Sequence, residues 1–202
     1  MRCPRVFSIA TIAIAALGIF ASAADMPPLD GTPHYDGKGN LIFPSDYRQW
    51  VFLSSGLDMS YSPTAPMDGQ HMFNNVFVPR VAYEAFLKTG TWPDKTVLML
   101  ENRGGAVNKS ILKHGEIQTT DVMGLEVHVK DTARFKGGWA FFSYDSNLKP
   151  AAEIPETAAC YSCHEAHGAV DTTFVQFYPT LMPIARHHKT LSTVYLAETA
   201  QK

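Results

Sequence analysis

Residues 124–144 read Gly-Leu-Glu-Val-His-Val-Lys-Asp-Thr-Ala-Arg-Phe-Lys-Gly-Gly-Trp-Ala-Phe-Phe-Ser-Tyr, and their patterning decides the fold. From Gly124 to Lys130 apolar and polar residues alternate, which is the period of a half-buried strand. Gly138 to Tyr144 is a second strand, dense in the aromatic residues that sheets favour. Working outward toward the N-terminus, Thr96 to Glu101 (TVLMLE) is an apolar strand that follows a Pro93-Asp94-Lys95 turn. Before it, Asn74 to Val78 (NNVFV) is a strand that passes through Pro79 into an amphipathic helix, Arg80 to Lys88, closed by Thr89-Gly90. Arg103-Gly104-Gly105 reads as the start of a loop. Upstream, Pro44-Ser45-Asp46 ahead of Tyr47 to Leu53 predicts a capped helix.

Downstream of Lys149-Pro150 the chain reads as loop to Thr157, then as a short helix carrying two cysteines. Thr173 to Tyr178 suits strand or helix, and Pro179 to His188 predicts a closing helix. This order of elements predicts an α+β domain, an antiparallel sheet with flanking helices rather than a helix bundle.

The first two dozen residues belong to a different signal. Arg2 and Arg5 precede the apolar run Val6 to Phe20, and Ala21-Ser22-Ala23 has the small-residue pattern of a cleavage site. Residues 1–23 are therefore expected to be a cleaved signal peptide, and 24–202 one domain of about 179 residues. The apolar run is short for a spanning helix, which needs about 20 residues. With Arg2 and Arg5 gone the formal charge moves from −2 to −4, and no basic stripe remains, so nucleic acid is not an expected partner. No later segment is apolar enough to predict a membrane span.

Cysteine usage carries the chemistry. Cys3 leaves with the signal, and Cys160 and Cys163 remain, three apart, in a chain bound for an oxidising compartment. They open Cys160-Tyr161-Ser162-Cys163-His164, the C-x-x-C-H signature of c-type haem attachment. Positions i, i+3 and i+4 share one face of a helix. The two thiols can then reach the two vinyl groups of one haem c while His164 points at the iron as proximal ligand. A thioredoxin-like C-x-x-C would need a preceding strand, and Ala151 to Ala159 is loop-like instead. Half a zinc site would need a second ligand pair, and adjacent His187 and His188 cannot both face one metal from a helix. For the sixth iron position, Met59, Met67, Met72, Met99, Met123 and Met182 are available, although methionine at helical or strand spacing is more often core.

With these motifs in view, the sequence resembles the cytochrome P460 and cytochrome c′-β superfamily over nearly the whole mature chain. The matching stretches are Pro44 to Val51, Val76 to Trp92, Gly124 to Phe135, Gly138 to Phe142 and Cys160 to Pro179. The resemblance implies an antiparallel β-fold with flanking helices, a periplasmic location, a homodimer, and a five-coordinate haem with an open distal face. Its members divide by distal chemistry. The P460 type oxidises hydroxylamine, passes electrons to another cytochrome, and cross-links a strand lysine to the porphyrin edge. The c′-β type lacks that link, lines the distal side with apolar residues and binds nitric oxide.

Counting from the shared Tyr83 to Trp92 block, the cross-linking position falls on Leu100, and Lys95 lies in a turn that both patterns share. An apolar Leu100 resembles c′-β and makes hydroxylamine-oxidising activity the alternative reading; ordinary electron transfer is a third. Glu126 matches an acidic residue of the family, where a buried carboxyl with a raised pKa would relay protons. Phe73 and Asn74 fall where the family places distal-pocket residues. Arg80 and Arg134 read as surface helix and turn residues.

Overall fold

The computed structural model describes residues 30–61, 71–107 and 110–200. The expected signal peptide and Met67 lie outside them. Five strands, β1 (Val51–Leu57), β2 (Met72–Val78), β3 (Val97–Val107), β4 (Glu116–Lys130) and β5 (Trp139–Tyr144), form one antiparallel sheet in chain order. Helix α1 (Arg80–Thr89) separates β2 from β3, and α2 (Ala159–His167), α3 (Met182–His188) and α4 (Thr193–Ala200) follow the sheet. This is the α+β architecture that the alternating and aromatic strands predicted.

Both sheet faces are covered. On one, Met99, Val127, Val129, Ala140 and Phe142 pack under the N-terminal segment through Leu41 and Tyr47, with Phe135 beside them. On the other, Leu98, Val78 and Trp139 meet α1 through Ala82 and Phe86, and meet the C-terminal segment through Val170, Val175 and Leu181. Gly90 caps α1 at φ +73°, a left-handed conformation that glycine adopts without a Cβ penalty.

Three expectations are corrected. Tyr47 to Leu53 is not a helix: a short 3-10 turn, Tyr47–Gln49, leads directly into β1. The Asp46 carboxylate caps no backbone amide and accepts the Trp50 indole N–H instead, at 3.0 Å. Val51 and Phe52 then pair with Val78 and Phe77, so tertiary pairing overrides the local helix signal. Arg103-Gly104-Gly105 is not a loop, because β3 continues through it with irregular register against β4. The fold also does not end at His188. Helix α4 follows, with Ser192 Oγ accepting the Tyr195 N–H at 3.2 Å and Leu191 and Tyr195 packed on the helical core.

Glu101 sets the register of β3. It has no exposed surface, yet its carboxylate accepts hydrogen bonds from Tyr47 Oη at 2.6 Å, from Arg103 Nε and Nη2 at 2.9 Å each and from Asn75 Nδ2 at 3.2 Å, and pairs with Arg48. Burial alone would raise its pKa, but these donors and the Arg48 charge overcome that and hold it at about 2. A carboxyl depressed in the fold contributes stability above its unfolded pKa and loses it as pH falls through the folded one. Acid should therefore destabilise the protein by roughly 3 kcal/mol through this group between about pH 4.5 and pH 2. Glu101→Gln should be destabilised at pH 7, where two arginines lose their partner, and its acid slope should be flatter. Urea unfolding at pH 7 and pH 3.5 measures both.

Candidate functional site

Helix α2 packs against β5 and α4, and its exposed-looking turn holds the chemistry. Cys160, Cys163 and His164, at i, i+3 and i+4, all line one cavity of about 450 Å³. Both cysteines are free thiols. The facing wall is the sheet, with Leu98, Leu100 and Asn102 of β3, Asn74 and Val76 of β2, Glu126 and His128 of β4, and Phe141 of β5. Phe174 and Tyr178 close a third side.

The orientation of His164 follows from its neighbours. Its Nδ1 lies 2.7 Å from the Thr172 carbonyl oxygen. A carbonyl can only accept, so Nδ1 carries the proton and Nε2 keeps a free lone pair. Burial pushes the imidazole pKa down, which favours the neutral, ligating form. Phe174 stacks on the ring at 4.1 Å between centroids, and Phe141 and His128 approach it edge-on at 4.7 and 4.9 Å.

The Thr172 carbonyl is presented by a tight turn in which Asp171 and Thr172 both have positive φ, +49° and +58°. For a β-branched residue that conformation is a strained one held by its surroundings. Here the surroundings are explicit. Asp171 Oδ2 accepts from Lys130 Nζ at 3.1 Å and from the Trp92 backbone N–H at 3.2 Å. Thr173 Oγ1 accepts the Trp92 indole N–H at 2.8 Å and donates to the Val170 carbonyl at 2.6 Å. Lys130 Nζ also donates to the Trp92 carbonyl at 2.7 Å. Gly168 completes the fit: a Cβ there would stand 2.7 Å from the His164 carbonyl oxygen and 2.7 Å from the Thr172 backbone.

Two unpaired thiols and an oriented neutral imidazole on one wall of a mainly apolar cavity form a donor set that fits a haem held by two thioether bonds and one axial nitrogen. The sequence-expected residues distribute around this cavity as follows. Leu100 is on its wall, between Val76 and Glu126 in register. Asn74 is also on the wall, but Phe73 is not. Successive strand residues face opposite sides, and with Asn74 toward the cavity Phe73 is turned to the other face. Glu126 lines the cavity and accepts from Asn102 Nδ2 at 3.4 Å, but it is exposed and not the buried carboxyl expected from the sequence. Lys95 is away from the cavity, in a left-handed turn position with its ammonium paired to Asp131. Among the methionines, Met59 reaches the cavity wall, whereas Met99 is core and Met123 is exposed.

Sequence reasoning missed His128 and the turn that orients His164. His128 is buried with neither ring nitrogen hydrogen-bonded, stacked on Phe141 at 4.0 Å, and held neutral by burial and then by the adjacent His164. The alternation of residues 124–130 did contain the signal, since it sets His128 on the same face as Glu126. Trp92 and Lys130 carried no such mark, because their partners lie 79 and 41 residues away at Asp171.

The family model for cytochrome P460 matches residues 44–175. No curated protein matches the chain.

Gly168→Ala should lower stability by about 1–3 kcal/mol, because the added methyl meets backbone on both sides and cannot be relieved by a side-chain shift. Urea unfolding compared with an exposed control such as Gly37→Ala, where a Cβ meets nothing within 4 Å, isolates the steric effect.

Proposed function

The chain belongs to the cytochrome P460 family, and from that premise we propose that it is an exported, periplasmic c-type cytochrome that binds nitric oxide or a related small nitrogen species. In this reading one haem c is held covalently through Cys160 and Cys163, with His164 as proximal iron ligand and an open distal face. The observation that carries it is the cavity itself, where two thiols and an oriented imidazole share one wall and the opposing position, Leu100, offers no amine. Among the described residues no helix is long and apolar enough to cross a membrane. A homodimeric assembly and a cytochrome redox partner belong to the same proposal.

When bound, the haem supplies an iron with one coordination position for a small ligand. The protein's part is attachment, orientation and control of polarity. Cys160 and Cys163 fix the cofactor against α2. Thr172 keeps the proton on His164 Nδ1 and so directs Nε2 outward, while Phe174 and Phe141 hold the ring plane. Leu98, Leu100 and Val76 exclude water from the sheet side, and Asn74, Asn102 and Glu126 make a polar edge where a nitrogenous ligand would find hydrogen bonds.

Hydroxylamine oxidation of the P460 type is the alternative, and Leu100 weighs against it: its side chain has no nucleophilic atom to join to the macrocycle. An electron-transfer cytochrome is favoured by one observation, the place of Met59 on the cavity wall, since a thioether is a common sixth ligand.

The purified protein should stain for haem on a denaturing gel, and Cys160→Ala plus Cys163→Ala should abolish the stain; haem extracted by acid–acetone would refute covalent attachment. The ferrous spectrum should be high-spin and shift on adding nitric oxide or carbon monoxide. Sharp low-spin bands that vanish in Met59→Leu would instead establish the electron-transfer reading. A haem-peptide digest should give the mass of two thioether links alone, and a lysine adduct would restore the oxidase.

A further inference from the structure

We infer that Asp58, His71 and Glu116 form a binding site for one divalent transition-metal ion of the zinc class, separate from the haem cavity. His71 Nδ1 lies 2.6 Å from Asp58 Oδ2 and 3.2 Å from Glu116 Oε1, and one donor atom from each residue falls within 4.8 Å of the others. An ion bound at about 2 Å in tetrahedral geometry spaces its ligands about 3.3 Å apart, so the cluster needs only small side-chain adjustment. One imidazole with two carboxylates is a borderline-to-hard donor set, which zinc accepts. His71 is part-exposed and leaves room for water at a remaining position.

The three residues come from three separate chain segments, and the backbone holds each in place. Asp58 follows β1: its N–H donates to the Met72 carbonyl at 2.9 Å, and its Oδ1 accepts the Met72 N–H at 2.8 Å, which leaves Oδ2 facing the cluster. His71 precedes β2, and its carbonyl accepts the Gly105 N–H at 2.6 Å. Glu116 begins β4, opposite Val107 of β3. Gly105 forms the back wall, where a Cβ would stand 2.8 Å from Glu116 Oε2 and 2.8 Å from His71 Cβ.

A proton on His71 does not satisfy this arrangement. Nδ1–H can serve Asp58 well and Glu116 Oε1 only as a longer, shared contact. Glu116 Oε2 is enclosed and has no hydrogen-bond partner. Among the described residues neither carboxylate has an ion pair other than with His71, so two negative charges face at most one positive one. A buried, unpaired carboxylate oxygen is costly, and an ion is one of the ordinary remedies. A divalent cation neutralises both carboxylates at once. Bound there, it ties the end of β1 to the starts of β2 and β4, at the base of the connection that carries Met59 and Tyr61 onto the cavity wall.

The test is Zn²⁺ titration of tag-free, haem-loaded protein stripped with chelator, read by calorimetry, metal content and thermal unfolding. One equivalent of zinc per chain and a raised melting temperature are expected. His71→Ala should lose the site, and Glu116→Gln, which keeps shape and fold, should weaken it at least tenfold. The double variant His187→Ala plus His188→Ala should retain it, since that exposed pair is the competing surface for adventitious zinc. Absence of uptake by the wild type, uptake undiminished in both site variants, or loss only in the His187/His188 variant would overturn the proposal.

Discussion

A carboxylate with no exposed surface, Glu101, accepts hydrogen bonds from the N-terminal turn, from β2 and from its own strand, and the cavity depends on it. Strand residues alternate faces, so a shift of β3 by one residue would exchange the two sets entirely. Leu98, Leu100 and Asn102 would leave the cavity wall, and a charged group would enter it. The strand is apolar on both sides near this point, with Leu98 and Met99 both buried. Hydrophobicity alone therefore discriminates weakly between the two registers. Arg48, Tyr47 and Asn75, which lie outside β3, discriminate strongly, because only one register puts the carboxylate among them. A buried ionic network used in this way contributes specificity of pairing more than net stability.

The opposite wall is controlled by a different device. His164 depends on a carbonyl presented from a turn in an unfavourable conformation, and that turn is held by Trp92 and Lys130, residues adjacent in space but distant in the chain. Trp92 serves twice, as a ring packed 4.4 Å from Phe86 in the helical core and as a donor to Thr173. The core beneath α1 and the orientation of the imidazole are thus one mechanical unit. Disturbance of Trp92 reaches His164 without any contact between them.

Much of this was legible in the sequence, for identifiable reasons. Where periodicity and burial coincide, as in Gly124 to Lys130 and Arg80 to Thr89, the pattern gave the element and its face. The C-x-x-C-H spacing located three wall residues, because helical geometry is local. What escaped depended on distant partners. Tyr47 to Leu53 has the cap and spacing of a helix, and only pairing with β2 makes it a turn and a strand. Arg103-Gly104-Gly105 looks like a loop until Glu101 and His71 supply the side-chain and backbone partners that keep it in β3. Phe73 and Asn74 were equivalent as bare sequence, and the pleat separates them. The strained turn at Asp171 and Thr172 carries no glycine to announce it.

The strand order of the sheet is the chain order, β1 to β5, and every pairing is between consecutive strands. Each strand can join a neighbour already present, which keeps the loops that must close short for a sheet of this size. The residues of the cavity's sheet wall are all in place by Phe141, before Cys160 enters the chain. Assembly therefore has a built-in direction: the receiving surface can be complete while the thiol-bearing helix is still to come. The two cysteines thus come later in the chain, toward a surface whose residues the five strands have already supplied.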